Sequence, residues 1–171
     1  MSEKTFVDGL IRTIKKFGQG FAFRPNDNMT IGMPDVLGYV PLGDHQPGFR
    51  GPPKVWAIAI EAKALHKLME DPYHKGRRVG QMLRHPFSGP QVSTLRKMAI
   101  AGVDAFGLIM VSEDTAFRFH PNDISTRTGN FTHEELVEFG VEVRRDKGIW
   151  NFWGESYGQI SSPRHRNNPR D

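Results

Sequence analysis

The sequence predicts an α/β fold with a central mixed β-sheet flanked by helices, and three observations carry that expectation. Apolar residues recur at helical spacing near the N-terminus. Residues 55–60 and 105–111 form near-continuous apolar runs of strand length, suited to strands covered on both faces. A second helical segment lies between them. The expected order is helix, three strands, helix, two strands, helix, which places helices against a sheet.

In residues 3–17, Phe6, Val7, Leu10, Ile11, Ile14 and Phe17 fall on one helical face, and Gly18 closes the segment. Residues 20–24 read as a short strand, and Pro25, Asn26, Asp27 and Asn28 as a turn. Residues 35–40 and 55–63 read as two further strands, joined by a connector at 43–53 too rich in Gly and Pro to be regular. Residues 65–89 mix Lys67, Lys75, Arg77, Arg78 and Arg84 with His66, His74 and His85 without a clean period, as in a basic excursion outside the core.

Helical spacing returns in residues 91–101 through Val92, Leu95, Met98 and Ala99, with Ser88 or Gly89 at the start and Gly102 at the end. Residues 115–119 give another short strand. Thr132 and Glu135 have capping-box spacing, so a late helix is expected at 132–139. Trp150, Phe152, Trp153 and Tyr157 suit core or interface packing, with base stacking as the alternative. Residues 1–160 are expected to form one domain, and 161–171, with Arg164, Arg166 and Arg170, a flexible basic tail.

Composition narrows the classes of function. A net charge of +4 and a pI near 9.5 favour a polyanionic partner without establishing one. The chain has no Cys, which excludes disulfides and thiolate zinc sites, and its seven His lack metal-protease spacing. Gly18, Gln19 and Gly20 lack the rest of a phosphate-binding fingerprint. The first residues lead into no long apolar stretch, so neither a secretory signal nor a spanning helix is expected. A cytoplasmic or nucleoid-associated protein that is not secreted is the expectation.

The candidate chemistry lies at the ends of two strands. A side-chain period of two puts Trp56, Ile58, Ile60 and Ala62 on one face of their strand, and Ala57, Ala59, Glu61 and Lys63 on the other. The small Ala57 and Ala59 leave room for a closely packed helix. Asp35 follows Met33 and Pro34 at the start of another strand. Two carboxylates beside a lysine suit phosphodiester cleavage, which needs an activated water, a Lewis acid on the phosphate and stabilisation of developing charge. Asp35 and Glu61 are the expected ligands of Mg²⁺, with Mn²⁺ able to substitute and the Ala62 carbonyl as a third ligand. Lys63 would orient the attacking water or stabilise the transition state as a point charge. Taken singly, Glu-x-Lys occurs often by chance, and Pro-Asp often marks a turn or cap.

Four segments together resemble the PD-(D/E)XK nuclease superfamily, and most closely its VRR-Nuc and Holliday junction resolvase-like branch. They are Ser2-Glu3 opening the first helix, Gly32-Met33-Pro34-Asp35, the stretch from Ile58 to Glu61-Ala62-Lys63, and Ser88-Gly89-Pro90-Gln91 followed by Leu95 and Ala101-Gly102. The resemblance extends over residues 3–119 and implies a restriction-endonuclease-like core. Carried over residue by residue, it implies a catalytic set of Glu3, Asp35, Glu61, Lys63 and Gln91. Asp8 is the rival to Glu3 on the same helix, and each also suits a solvated acid near a helix N-terminus. Gln91 equally suits an ordinary first-turn residue.

The stretches 43–53 and 65–89 are insertions relative to the compact family pattern. The second offers Lys75, Arg77, Arg78 and Arg84 as DNA contacts, against the plainer reading of a solvated charged loop. The function implied is a Mg²⁺-dependent endonuclease acting on branched DNA, as Holliday junction resolvases do. Symmetric incision of a four-way junction would need two active sites, hence a homodimer. The alternatives are a nuclease for flaps, nicks or DNA ends, and a DNA-binding module without activity.

Overall fold

The computed structural model describes residues 2–16, 20–25, 32–41, 55–64, 68–70, 78–80, 87–125 and 133–152, with the backbone alone at 68–70, 78–80, 125 and 133. Its first element, α1 (Glu3–Lys16), is started by Ser2, whose hydroxyl accepts the Thr5 N–H at 3.2 Å. Glu3 in the first turn and Lys15 and Lys16 in the last complement the helix dipole. Phe6, Val7, Leu10 and Ile14 are buried, as their spacing predicts. Phe17 and Gly18 lie outside the described residues, as do the connector at 43–53 and the tail at 161–171.

β1 (Phe21–Phe23), β2 (Val36–Pro41) and β3 (Val55–Ala64) run antiparallel in sequence order. The chain then forms a separate two-stranded sheet from β4 (Leu68–Glu70) and β5 (Arg78–Gly80). It returns through α2 (Gly89–Ile100) to β6 (Asp104–Met110), which lies parallel to β3. β7 (Thr115–Phe119), α3 (Pro121–Ser125), α4 (His133–Phe139), β8 (Val141–Asp146) and β9 (Ile149–Trp150) complete the described chain. Among the described residues the main sheet has seven strands in the order β1-β2-β3-β6-β7-β8-β9, and only the β3–β6 pair is parallel. This is the expected mixed sheet flanked by helices. A strand-to-strand connection that returns parallel needs a crossover, and α2 supplies it.

The two faces of the sheet follow the alternation in β3. Ile58, Ile60, Ala62 and Ala64 join Phe106, Leu108 and Met110 in a core under α1. On the opposite face Ala59 packs with Leu95 of α2 and Ala105, the close helix approach that its small side chain allows. A third cluster, with Phe87, Val92, Ile109, Phe117, Phe119, Ile124 and Leu136, covers that face over β6 and β7.

Several expectations need correction. Residues 65–89 are not wholly irregular, since β4 and β5 pair in a sheet of their own, and they do not lie wholly outside the core, because Phe87 near their end is buried. The Phe87 ring lies against Gly107, where a Cβ would meet it at 2.6 Å. The chain also does not end its regular structure at the late helix, and α3 was not anticipated. α4 begins at His133, while Thr132 lies outside the described residues. β8 and β9 follow, and Trp150 and Phe152 are core residues. Trp153 and Tyr157 lie outside the described residues.

Trp150 is held by α1 on two sides. Its ring meets Phe6 edge-on, with centroids 5.0 Å apart at 71°. Its backbone N–H donates to the buried Thr13 hydroxyl at 3.1 Å, and that hydroxyl donates to the Gly9 carbonyl at 3.0 Å. Thr13→Val keeps the shape but strands the Trp150 N–H, so a loss of about 1–3 kcal/mol is expected in urea unfolding. An unchanged midpoint and slope would show that β9 does not depend on this bond.

Candidate active site

The parallel meeting of β3 and β6 leaves the C-terminal end of β3 beside the N-terminus of α2 and the start of β2. Glu61 stands there on the α2 face and is 1% exposed. Lys63, two residues on, shares that face, and its Nζ lies 2.7 Å from Glu61 Oε1. The β2–β3 register pairs Val36 with Ile60, which sets Asp35 abreast of Glu61 on the neighbouring strand. Asp35 Oδ2 accepts the Ala62 N–H at 3.0 Å. A residue in an antiparallel ladder directs its N–H and C=O toward the same neighbour. The Ala62 carbonyl therefore also faces the Asp35 side, beyond the last β2 pairing.

Gln91 enters from α2 and serves two functions. Ser88 caps the helix by accepting the Gln91 N–H at 3.4 Å, and Gln91 Oε1 accepts the Ser88 N–H at 2.8 Å, a complete capping box. Because its oxygen is held by Ser88, the amide turns Nε2 toward Glu61 Oε1, to which it donates a hydrogen bond. The ordinary first-turn role and the site-facing role are thus both realised. The loop before Asp35 is set against the same helix start. Gly32 has φ +87°, and a Cβ there would lie 2.6 Å from the Pro90 carbonyl carbon.

Electrostatics tie Glu3 to the cluster. Burial opposes the charge on Lys63, but Glu61, and then Glu3 and Asp35, outweigh it and raise its pKa above the ordinary lysine value. Glu3 is half-buried, whereas Asp8 points to solvent. Burial pushes the Glu61 carboxyl up to about 7, with Asp35 adding to the rise and Lys63 opposing it. Glu61 Oε1 is satisfied by Lys63 and Gln91, while the buried Oε2 has no hydrogen-bond partner among the described residues.

The structure therefore brings Glu3, Asp35, Glu61, Ala62, Lys63 and Gln91 to one end of the sheet. Lys75, Arg77 and Arg84 lie outside the described residues, and Arg78 opens β5 with only its backbone described. Among the described residues no group of three His, Cys, Asp or Glu side chains could hold a metal ion. The available donors are two carboxylates and a backbone carbonyl, an all-oxygen set suited to a hard cation that keeps several waters. Two contributors lie outside the expected set of site residues. Arg24 places a guanidinium nitrogen 3.5 Å from Asp35 Oδ1, a contact that only the β1–β2 register reveals. Ser88 orients Gln91, and the Ser-x-x-Gln spacing was the available signal.

No family model and no curated protein matches the chain. Among solved structures it is similar to the Holliday junction resolvase Hjc of the archaeal hyperthermophile Archaeoglobus fulgidus, at 18% sequence identity and a TM-score of 0.48. The match covers 81% of this chain and 94% of that one. Among the described residues no helix is long and apolar enough to cross a membrane.

Proposed function

We propose that the chain is a metal-dependent endonuclease that hydrolyses phosphodiester bonds in branched DNA, as the resemblance to junction resolvases implies. The observation that carries the reading is the assembly of Asp35, Glu61, Lys63 and Gln91 at one strand end, with a buried Glu61 oxygen that has no hydrogen-bond partner among the described residues. An unsatisfied buried acceptor costs about 1–3 kcal/mol, a cost that a bound cation removes. Asp35, Glu61 and the Ala62 carbonyl fit Mg²⁺ or Mn²⁺, which when bound supplies Lewis acidity toward a phosphate oxygen.

The remaining residues position and neutralise. Lys63 presents a charged ammonium to developing negative charge on the phosphate and stays protonated, because the surrounding carboxylates raise its pKa. Gln91 holds Glu61 Oε1 in place through an amide fixed by Ser88. Glu3 adds negative charge that keeps Lys63 ionised. A homodimer goes with the junction substrate, since two symmetric nicks need two such sites.

The test is a cleavage panel of four-way junction, flap, single-stranded and duplex DNA with Mg²⁺ or Mn²⁺, run beside Lys63→Ala. Paired symmetric nicks in the junction are expected, with the variant slower by about 100-fold. Preference for flaps or ends would replace the junction reading, and no cleavage of any substrate would leave a binding module. The pH dependence is equally definite. Glu61 must shed its proton to hold a cation, and that proton leaves near pH 7. At subsaturating metal the rate should fall about tenfold per pH unit below 7, and more metal should shift that limb to lower pH. A flat profile from pH 5.5 to 8 would exclude Glu61 as a ligand.

A further inference from the structure

The face of the sheet that carries Glu61 continues past α2 to the β1 edge, where it is aromatic and open. Cross-strand partners share a face, so Phe23 beside Leu37, and Phe21 beside Tyr39 and Ala57, lie on the same side as Ala59 and Glu61. Phe21, Phe23 and Tyr39 are 49%, 44% and 43% exposed. Phe21 stacks on Tyr39 with centroids 5.7 Å apart at 28°, and Phe23 lies 5.7 Å from Phe21. The row leads to the catalytic cluster. Arg24, next after Phe23, contacts Asp35, and along β2 the alternation runs Asp35, Leu37, Tyr39, at about 7 Å per step of two residues.

We propose that Phe21, Phe23 and Tyr39 form a stacking platform for unpaired nucleobases of the strand whose phosphodiester lies at Asp35 and Glu61. The inference rests on the nuclease reading and narrows its substrate to nucleic acid with splayed or single-stranded nucleotides beside the scissile bond. Such binding combines aromatic rings for the bases with positive charge along the backbone, and this chain carries a net +4. Area argues against a protein partner. At 150–250 Å² per ring, the exposed aromatic surface is roughly 300 Å², well below the ~800 Å² per partner of a stable interface. It is large enough for one or two bases. Trp150 and Phe152, by contrast, are buried and have no free ring face to offer.

The test is fluorescence anisotropy with a labelled single-stranded oligonucleotide and the same oligonucleotide carrying abasic sites, using the full chain in Ca²⁺. Wild type should bind the intact strand about 5- to 150-fold more tightly than the abasic one, the range of base–aromatic stacking. Phe21→Leu, Phe23→Leu and Tyr39→Leu, which keep apolar bulk but remove the ring, should shrink that ratio toward one without changing the salt slope, and Tyr39→Phe should restore it. Equal affinity of wild type for the two strands overturns the proposal. So does a full ratio in folded Leu variants, or a dimer that these substitutions dissociate in sedimentation while base discrimination persists. A protein that discriminates bases yet cleaves nothing keeps the platform and loses the nuclease reading. One that cleaves without discrimination does the reverse.

Discussion

Glu61→Gln is expected to abolish cleavage, by at least about 1,000-fold, while making the metal-free protein more stable as pH rises. The loss of activity follows from replacing the carboxylate proposed to hold the cation by a neutral amide, whose one oxygen can take the place held by Lys63 and Gln91 while an NH2 replaces the oxygen without a partner among the described residues. The gain follows from proton linkage. In the folded chain the Glu61 carboxyl keeps its proton up to about pH 7, against an ordinary value of 4.5. Between those values the folded state holds a proton that the unfolded state has released, so stability falls as pH increases. The full shift corresponds to about 3 kcal/mol. Gln carries no such penalty. The stability difference between variant and wild type should therefore be least near pH 4.5 and grow by about 3 kcal/mol by pH 8, measured by urea unfolding in chelator. Added Mg²⁺ should recover stability for wild type alone. A difference that stays constant across that range would mean that Lys63 fully offsets the desolvation of the carboxylate.

What the sequence made legible was local and periodic. β3 was readable because its near-continuous apolar run has strand length and ends at Glu61 and Lys63, and β6 because its residues from Ala105 to Met110 form a second such run, all of it buried. The pairing of Glu61 with Lys63 on one face needed only a period of two. Asp35 is different, since its contact to Ala62 spans two strands and depends on the Val36–Ile60 register. β8 was hidden for a physical reason. Its sequence is mostly charged and only Val143 is buried, so its strand state comes from pairing with β7 and not from its own pattern. Arg118 similarly looks like a surface residue in sequence. In the fold it stacks over Phe106 at 3.9 Å, pairs with Asp104 and donates to the Phe152 carbonyl at 2.9 Å.

Gly32→Ala is expected to cost both stability and catalysis, although Gly32 contributes no side chain to the site. Its φ of +87° disfavours any L side chain, at about 1–2 kcal/mol. The new Cβ would also sit 2.6 Å from the carbonyl carbon and 2.7 Å from the carbonyl oxygen of Pro90, both backbone atoms at the start of a capped helix. Neither can rotate away, so the loop must move. That displaces Asp35, three residues on, relative to Gln91 and Glu61, and displacements of about 1 Å can cost about 100-fold in rate. Gly102 separates strain from collision. It has nearly the same φ, +85°, but a Cβ there meets nothing within 4 Å. Gly102→Ala should therefore lose only the conformational part, about 1 kcal/mol, and keep its cleavage rate. Gly32→Ala should lose about 3 kcal/mol or more in urea unfolding, with a rate deficit that excess Mg²⁺ only partly restores. Equal losses in the two variants would mean that the contact with Pro90 does not set the position of Asp35, and that its hydrogen bond to Ala62 and its ion pair with Arg24 suffice to hold it.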